Sequence, residues 1–168
     1  MKRGQAGRRA ILGGIGALVL LAGCARTPPA REGYRDTTVP IGGTVRFDPK
    51  RFEGDWQVVA HMPDASAHPR NFSYDILGGM TESGEGPARR YRLREGSVLQ
   101  EVATDVDTRL VVMWVDDDFR TAALGTVDGR RGTIFDRVPG GSADRTQAAV
   151  EVMQFYGWDV SQLIGVAK

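Results

Sequence analysis

From Phe52 onward the chain alternates. Apolar and polar side chains exchange places with period two in one short segment after another, and this limits the fold more than any other feature. In "NFSYDIL", Phe72, Tyr74 and Ile76 fall on one face, with Ser73 and Asp75 on the other. In "RRYRLRE", Tyr91 and Leu93 oppose Arg90, Arg92 and Arg94. "DWQVVA", "SVLQEVAT" and "TRLVVMWV" read as further strands, the last apolar on both faces. "FRTAALGTV" and "RGTIFDR" follow, joined by Val127-Asp128-Gly129-Arg130, and Asp-Gly between two alternating runs is a hairpin signal. Short strands in sequential order predict an antiparallel meander. Such a sheet closes most simply into an up-and-down barrel, which removes its edges. The fold class expected is therefore all-β, a barrel of about eight strands.

One segment breaks the pattern. In "GGSADRTQAAVEVMQFYGWDV", Ser142 fits an N-cap, Asp144 the first turn, and Gly157 the position just past the end of a helix. Ala148, Ala149, Val152, Met153 and Tyr156 form one stripe, which predicts a C-terminal helix packed on the outside of the barrel. "DVSQLIGV" is expected to return as a last short strand.

The first 45 residues do not share the alternation. "MKRGQAGRRA" carries four basic residues, and the apolar "ILGGIGALVLLAG" that follows is short for a membrane span and has the charge order of a secretory signal. It ends at Leu21-Ala22-Gly23-Cys24, and Cys24 is the only cysteine in the chain. Small residues directly before a lone cysteine resemble the lipobox of bacterial lipoproteins. That resemblance implies cleavage before Cys24 and acylation of it, with Ala25 at the next position implying sorting to the outer membrane, facing the periplasm. The domains expected are a signal peptide over 1–23, a lipidated N-terminus and tether over 24–45, and a barrel over 46–168. "ARTPPAREGYRDTTVPIGGTV" is rich in Pro, Gly and charge, as a tether is, and its last part can lie along the domain surface. Loss of the signal takes the formal charge from +1 to −3, which does not suit a nucleic-acid binder. A mature chain with one lipidated cysteine contains no internal disulfide.

Three separated blocks then resemble the lipocalins, more narrowly the bacterial outer-membrane lipocalins. Gly54-Asp55-Trp56 matches the G-x-W block on the first strand. Asp117-Asp118-Phe119 stands where the family has threonine-aspartate-tyrosine, between the sixth and seventh strands. Arg137, at the end of "GTIFDR", stands at the third-block arginine, and "GWDVSQL" after the helix resembles the bacterial branch. The resemblance covers about residue 47 to 168. It implies that Trp56 closes the narrow end of the barrel with the Arg137 guanidinium across its ring, and that Gly54 lets the chain bend closely at the floor. The sequence departs from the family in its middle. Gly54 to Asp116 is short for the six strands expected before the second block, so one strand is expected to be missing or two very short.

The resemblance also implies a ligand. Counting inward positions outward from the three blocks gives Val58, Ala60, Val112, Trp114, Ala123, Thr133 and Phe135. Alternation adds Phe72, Tyr74, Ile76, Tyr91 and Leu93. A lumen so lined suits a fatty acid, a lysophospholipid or a similar hydrophobic molecule, held for transport or storage. The alternative is a ligand-free envelope module that works through the barrel exterior. A lipid isomerase or hydratase is the remotest reading, because no G-x-S-x-G, Cys/His pair or paired glycosidase carboxylates can be placed. No cofactor is expected. His61, Asp64 and His68 fit no zinc spacing and read as a lid loop, and Asp116-Asp117-Asp118 lacks calcium-loop spacing. Arg89, Arg90, Arg92 and Arg94 read mostly as the wet exterior of a strand.

Overall fold

A computed structural model of the chain describes residues 33–102 and 108–166. The proposed signal peptide and Cys24 lie outside the described residues.

Eight antiparallel strands follow one another around a barrel: β1 (Gly54–His61), β2 (Arg70–Tyr74), β3 (Gly79–Gly84), β4 (Arg89–Arg94), β5 (Val98–Glu101), β6 (Arg109–Val115), β7 (Thr121–Thr126) and β8 (Gly132–Asp136). β1 closes it. Its first half pairs with β2 (Trp56 opposite Arg70) and its second half with β8 (Val58 opposite Phe135). A ninth strand of two residues, β9 (Ile164–Gly165), adds to the outside of β1 at Ala60 and His61. The sheet thus has no long free edge to recruit another chain.

No strand is missing from the middle. The stretch fits because β5 has four residues, and because "GMTESG" is a strand that alternation does not reveal. β3 turns only Met80 and Glu82 into buried positions, so an acid stands where a second apolar residue would have marked the pattern. The strand read as "NFSYDIL" stops at Tyr74. Asp75 then caps a tight turn, accepting N–H bonds from Leu77 (2.8 Å) and Gly79 (2.9 Å).

Two α-helices complete the fold among the described residues. A single turn, α1 (Pro49–Phe52), is capped by Asp48, whose carboxylate accepts N–H bonds from Lys50 (2.9 Å) and Arg51 (3.3 Å). It lies beneath the barrel. The long helix α2 (Ala143–Phe155) lies outside, against β6, β7 and β8. Ala149 and Met153 are its buried residues, with Val152 and Tyr156 packed beside them. Gly157, at φ +85°, ends it. Trp158 then returns over the barrel wall, where Gly125 and Gly132 leave room for its ring: a Cβ at Gly125 would lie 2.3 Å from the indole.

There are accordingly two apolar cores. One fills the inside of the barrel around Trp56, Phe72, Tyr91 and Phe135. The other lies between wall and helix, around Val111, Ile134, Met153 and Trp158. The segment from Gly33 to Thr44 is laid along this outer wall. The Tyr34 N–H donates to Gly129 O (2.8 Å) at the β7–β8 turn, and the Thr44 N–H to Val112 O (2.9 Å) further down.

Candidate functional site

The barrel has a closed end and an open end, and each is built by a different set of residues. At the closed end Trp56 is fully buried. Phe52 stacks on it at 4.7 Å, Phe135 meets it edge-on at 6.4 Å, and its Nε1 donates to Phe52 O (2.8 Å). The Arg137 guanidinium covers the other face, with Cζ 3.8 Å from the ring centroid. The same group donates to three backbone carbonyls, those of Asp55 (3.0 Å), Arg51 (3.0 Å) and Phe119 (3.2 Å). It therefore ties β1, α1 and the β6–β7 turn into one floor. Gly54, at φ +100°, is required here: a Cβ would lie 3.3 Å from an Arg137 nitrogen, in a backbone conformation that other residues resist. Phe119 lies beneath the Arg51 guanidinium at 4.2 Å. Asp118 is at the surface, paired with Arg120 (2.8 Å). The carboxylate that shapes this turn is Asp116, which accepts the N–H groups of Arg120 (2.5 Å) and Thr121 (2.7 Å).

Above the floor the inner wall is apolar and filled. Val58, Phe72, Tyr91, Val112 and Phe135 point into it, with Tyr74 and Leu93 partly buried against it. Four positions read as lumenal from the sequence face elsewhere. Ala60 lies in the outer core, because a bulge between Val58 and Ala60 turns both Val59 and Ala60 outward. Trp114 is outside for the same reason: a bulge after Val112 turns Met113 and Trp114 toward the helix and brings Val115 inside. Ala123 is paired with Trp114 and Ile134 and shares their outward face, leaving Ala122 and Leu124 as the inward residues of β7. Ile76 sits on the β2–β3 turn and is fully exposed.

The open end is charged. Continuing each inward row toward the mouth leads from Phe72 to Arg70, from Met80 to Glu82, from Tyr91 to Arg89, from Leu99 to Glu101, and from Thr133 to Arg131. Arg70 and Glu82 are buried and paired at 3.2 Å, and the Tyr91 hydroxyl donates to the second Glu82 oxygen at 2.7 Å. Burial, and then the Glu82 charge beside it, raises the Tyr91 pKa far above that of a free phenol, so Tyr91 is a neutral donor at any physiological pH. Arg89 approaches Glu82 (3.9 Å) and Glu101 (3.8 Å), and Arg131 approaches Glu101 (3.7 Å). Sequence reading missed this ring. Alternation places most of the basic residues of β4 outside, and Arg90, Arg92 and Arg94 are exposed there; Arg89 is the exception, sharing the inward parity of Tyr91. Parity from Thr133 back to Arg131 would have found the next member.

A cavity of about 130 Å³ opens beneath this ring. Phe72, Leu110, Leu124, Thr133 and Phe135 form its lower wall, Arg70, Glu82, Arg89 and Arg131 its upper wall, and Asp64 to Ser66 of the β1–β2 loop its rim. The cavity is amphipathic and small, against the roughly 300–1,000 Å³ of a drug-sized ligand site. At the end of β1 His61 Nδ1 lies 2.9 Å from Met62 O, and in the loop His68 pairs with Glu85 at 2.7 Å. Outside the barrel a shallow groove of about 590 Å³ runs between residues 43–45, β6 and α2.

Floor and mouth together define a closed eight-stranded barrel with an amphipathic chamber at its open end. No protein-family model matches this chain, and no curated protein matches it.

Proposed function

We propose that the chain is a lipid-anchored lipocalin of the bacterial outer-membrane type, which holds a small hydrophobic ligand with a polar head in the open half of its barrel, for storage or transport beside the membrane. The observation that carries this reading is the chamber. Its apolar wall of Phe72, Leu110, Leu124 and Phe135 lies directly below polar groups at the mouth, the arrangement an amphiphile such as a fatty acid or lysophospholipid would fill. Each CH₂ taken from water into it contributes ~0.8 kcal/mol. At about 130 Å³ the chamber takes a short tail or the end of a longer one, and a full-length acyl chain requires interior side chains to move aside.

The course of the tether supports the anchored part of the reading. Gly33 lies against Asp128 and Gly129 of the β7–β8 turn, at the open end. The nine residues from Cys24 to Gly33 span at most about 30 Å. An acylated Cys24 would therefore hold the mouth, and not the floor, near the bilayer, where a ligand could pass between membrane and barrel with little exposure to water.

A second reading is favoured by the exterior groove, whose margins include Val45 and Phe155, 97% and 76% exposed. On that reading the barrel is a solid envelope module with an apolar outer contact. Native mass spectrometry of the full-length protein, extracted from its membrane, separates the two. A bound amphiphile in excess of the anchor mass is expected. No bound mass, with no saturable uptake of added fatty acid, rejects the carrier reading in favour of the envelope module.

A further inference from the structure

We infer that the mouth is an anion site: the structure assigns Arg89 and Arg131 to hold the carboxylate of a short-chain acid whose tail lies on Leu110, Leu124 and Phe135. This rests on the reading of the barrel as an amphiphile carrier and names the head group it selects.

The charged ring has an inner, closely paired part and an outer, loosely paired part. Glu82 takes a hydrogen bond from the Tyr91 hydroxyl on one oxygen and forms an ion pair with Arg70 at the other, and Arg70 also donates to Glu85 O at 3.2 Å. That part is closed. Arg89 and Arg131 differ: their separations from Glu82 and Glu101 are 3.7–3.9 Å, long for N–H···O bonds, and although Arg131 also has the Tyr91 hydroxyl as a partner, the two forks attract these carboxylates without closing on them. Both guanidinium groups border the chamber.

The charges do not balance either. Among the described residues the ring holds three arginines against two glutamates, and Tyr91 adds no negative charge because it stays a phenol. Asp64 also borders the chamber, but it is exposed and engaged by the Tyr34 hydroxyl, where water screens it. A cation in excess at a partly dry site is unfavourable until an anion joins it. A carboxylate suits two planar forks, each presenting parallel N–H donors. The chamber below has room for a tail of a few carbons.

The test titrates the full-length protein in lipid nanodiscs with hexanoate and with its neutral counterpart hexanamide, followed by calorimetry. Hexanoate is expected to bind saturably, one per chain, at least tenfold more tightly than hexanamide. Arg131→Gln is expected to weaken hexanoate tenfold or more and hexanamide by much less, so that the preference for the acid narrows; Arg89→Gln is the second variant, should the first fail to fold. Equal, saturable affinities for the two compounds overturn the anion site and leave the carrier reading standing. No saturable binding of either compound overturns both.

Discussion

The two ends of this barrel place arginine against its interior in opposite ways. At the floor, Arg137 lies flat on an indole and spends its donors on three carbonyls of the chain itself. No second charge is buried with it, so attraction to the ring and neutral hydrogen bonds do most of the holding, with the exposed Asp55 charge nearby. At the mouth, Arg70, Arg89 and Arg131 face carboxylates; Arg70, Glu82 and Glu101 have given up most of their water, while Arg89 and Arg131 keep part of theirs. Ion pairs of that kind contribute little net stability, because desolvation offsets much of the attraction. The floor is thus built to stay shut. The mouth keeps polar groups whose water a ligand could replace.

The largest effect expected is at the floor. Trp56→Ala removes the surface on which Phe52, Phe135 and Arg137 all rest, and should cost ~3–5 kcal/mol in urea unfolding. A loss under about 1 kcal/mol would mean that the floor is held by something other than the indole.

The mouth should respond differently to single and to combined changes. Glu82→Ala alone strands Arg70 and the Tyr91 hydroxyl, and should cost about 3 kcal/mol, near the lower bound for breaking a buried pair. The combined variant Arg70→Met, Glu82→Leu, Tyr91→Phe removes the three closely bonded groups together, leaves Arg89 and Arg131 to Glu101, and should be closer to wild-type stability than Glu82→Ala. If the triple variant is as damaged as Glu82→Ala, the ring is structural and the contrast with the floor fails.

A smaller effect separates geometry from charge. Arg137→Lys keeps the cation but loses the planar face and two of the fixed donor directions, and should cost about 2 kcal/mol. An unchanged thermal midpoint would show that a positive charge over Trp56 is enough.

This contrast also explains what the sequence could reveal. The floor is readable because its parts are distinctive residues at chain positions that need no counting: Gly54 and Trp56 adjoin a strand start, and Arg137 ends one. Alternation likewise exposes the strands whose inner rows are apolar. It fails where one face carries no apolar contrast, as in β3 with Glu82 inside, and where a bulge flips the parity, as after Val58 and Val112. The mouth was hidden for a related reason. Arg70, Arg89 and Arg131 sit at strand ends, where charge is ordinarily solvated, and only their parity with Phe72, Tyr91 and Thr133 marks them as inward.

One further clamp was not legible at all, because it joins residues from three elements. Asp136, fully buried at the end of β8, accepts bonds from the Thr121 hydroxyl (2.6 Å), Arg145 Nη2 (2.9 Å) and the Val138 N–H (3.0 Å), so it pins the first turn of α2 to the wall. Burial alone would raise its pKa; the bonds from Thr121, Val138 and Arg145, with the Arg145 charge, outweigh burial and hold it below the usual carboxylate value. A depressed folded pKa contributes stability that is present above the unfolded value of about 4 and is lost as the pH falls through the folded one. Arg145→Gln weakens that depression and should cost about 1 kcal/mol at pH 7, the smallest effect predicted. The gap between variant and wild type should then narrow as the pH falls below about 4, because the carboxyl becomes protonated in both states of both proteins. Asp75, also depressed by N–H bonds from Gly79 and Leu77, titrates in the same window in both proteins and cancels in the difference. A gap that stays constant down to pH 2 would place the Arg145 contribution in packing, and the clamp would then resemble the floor more than the mouth.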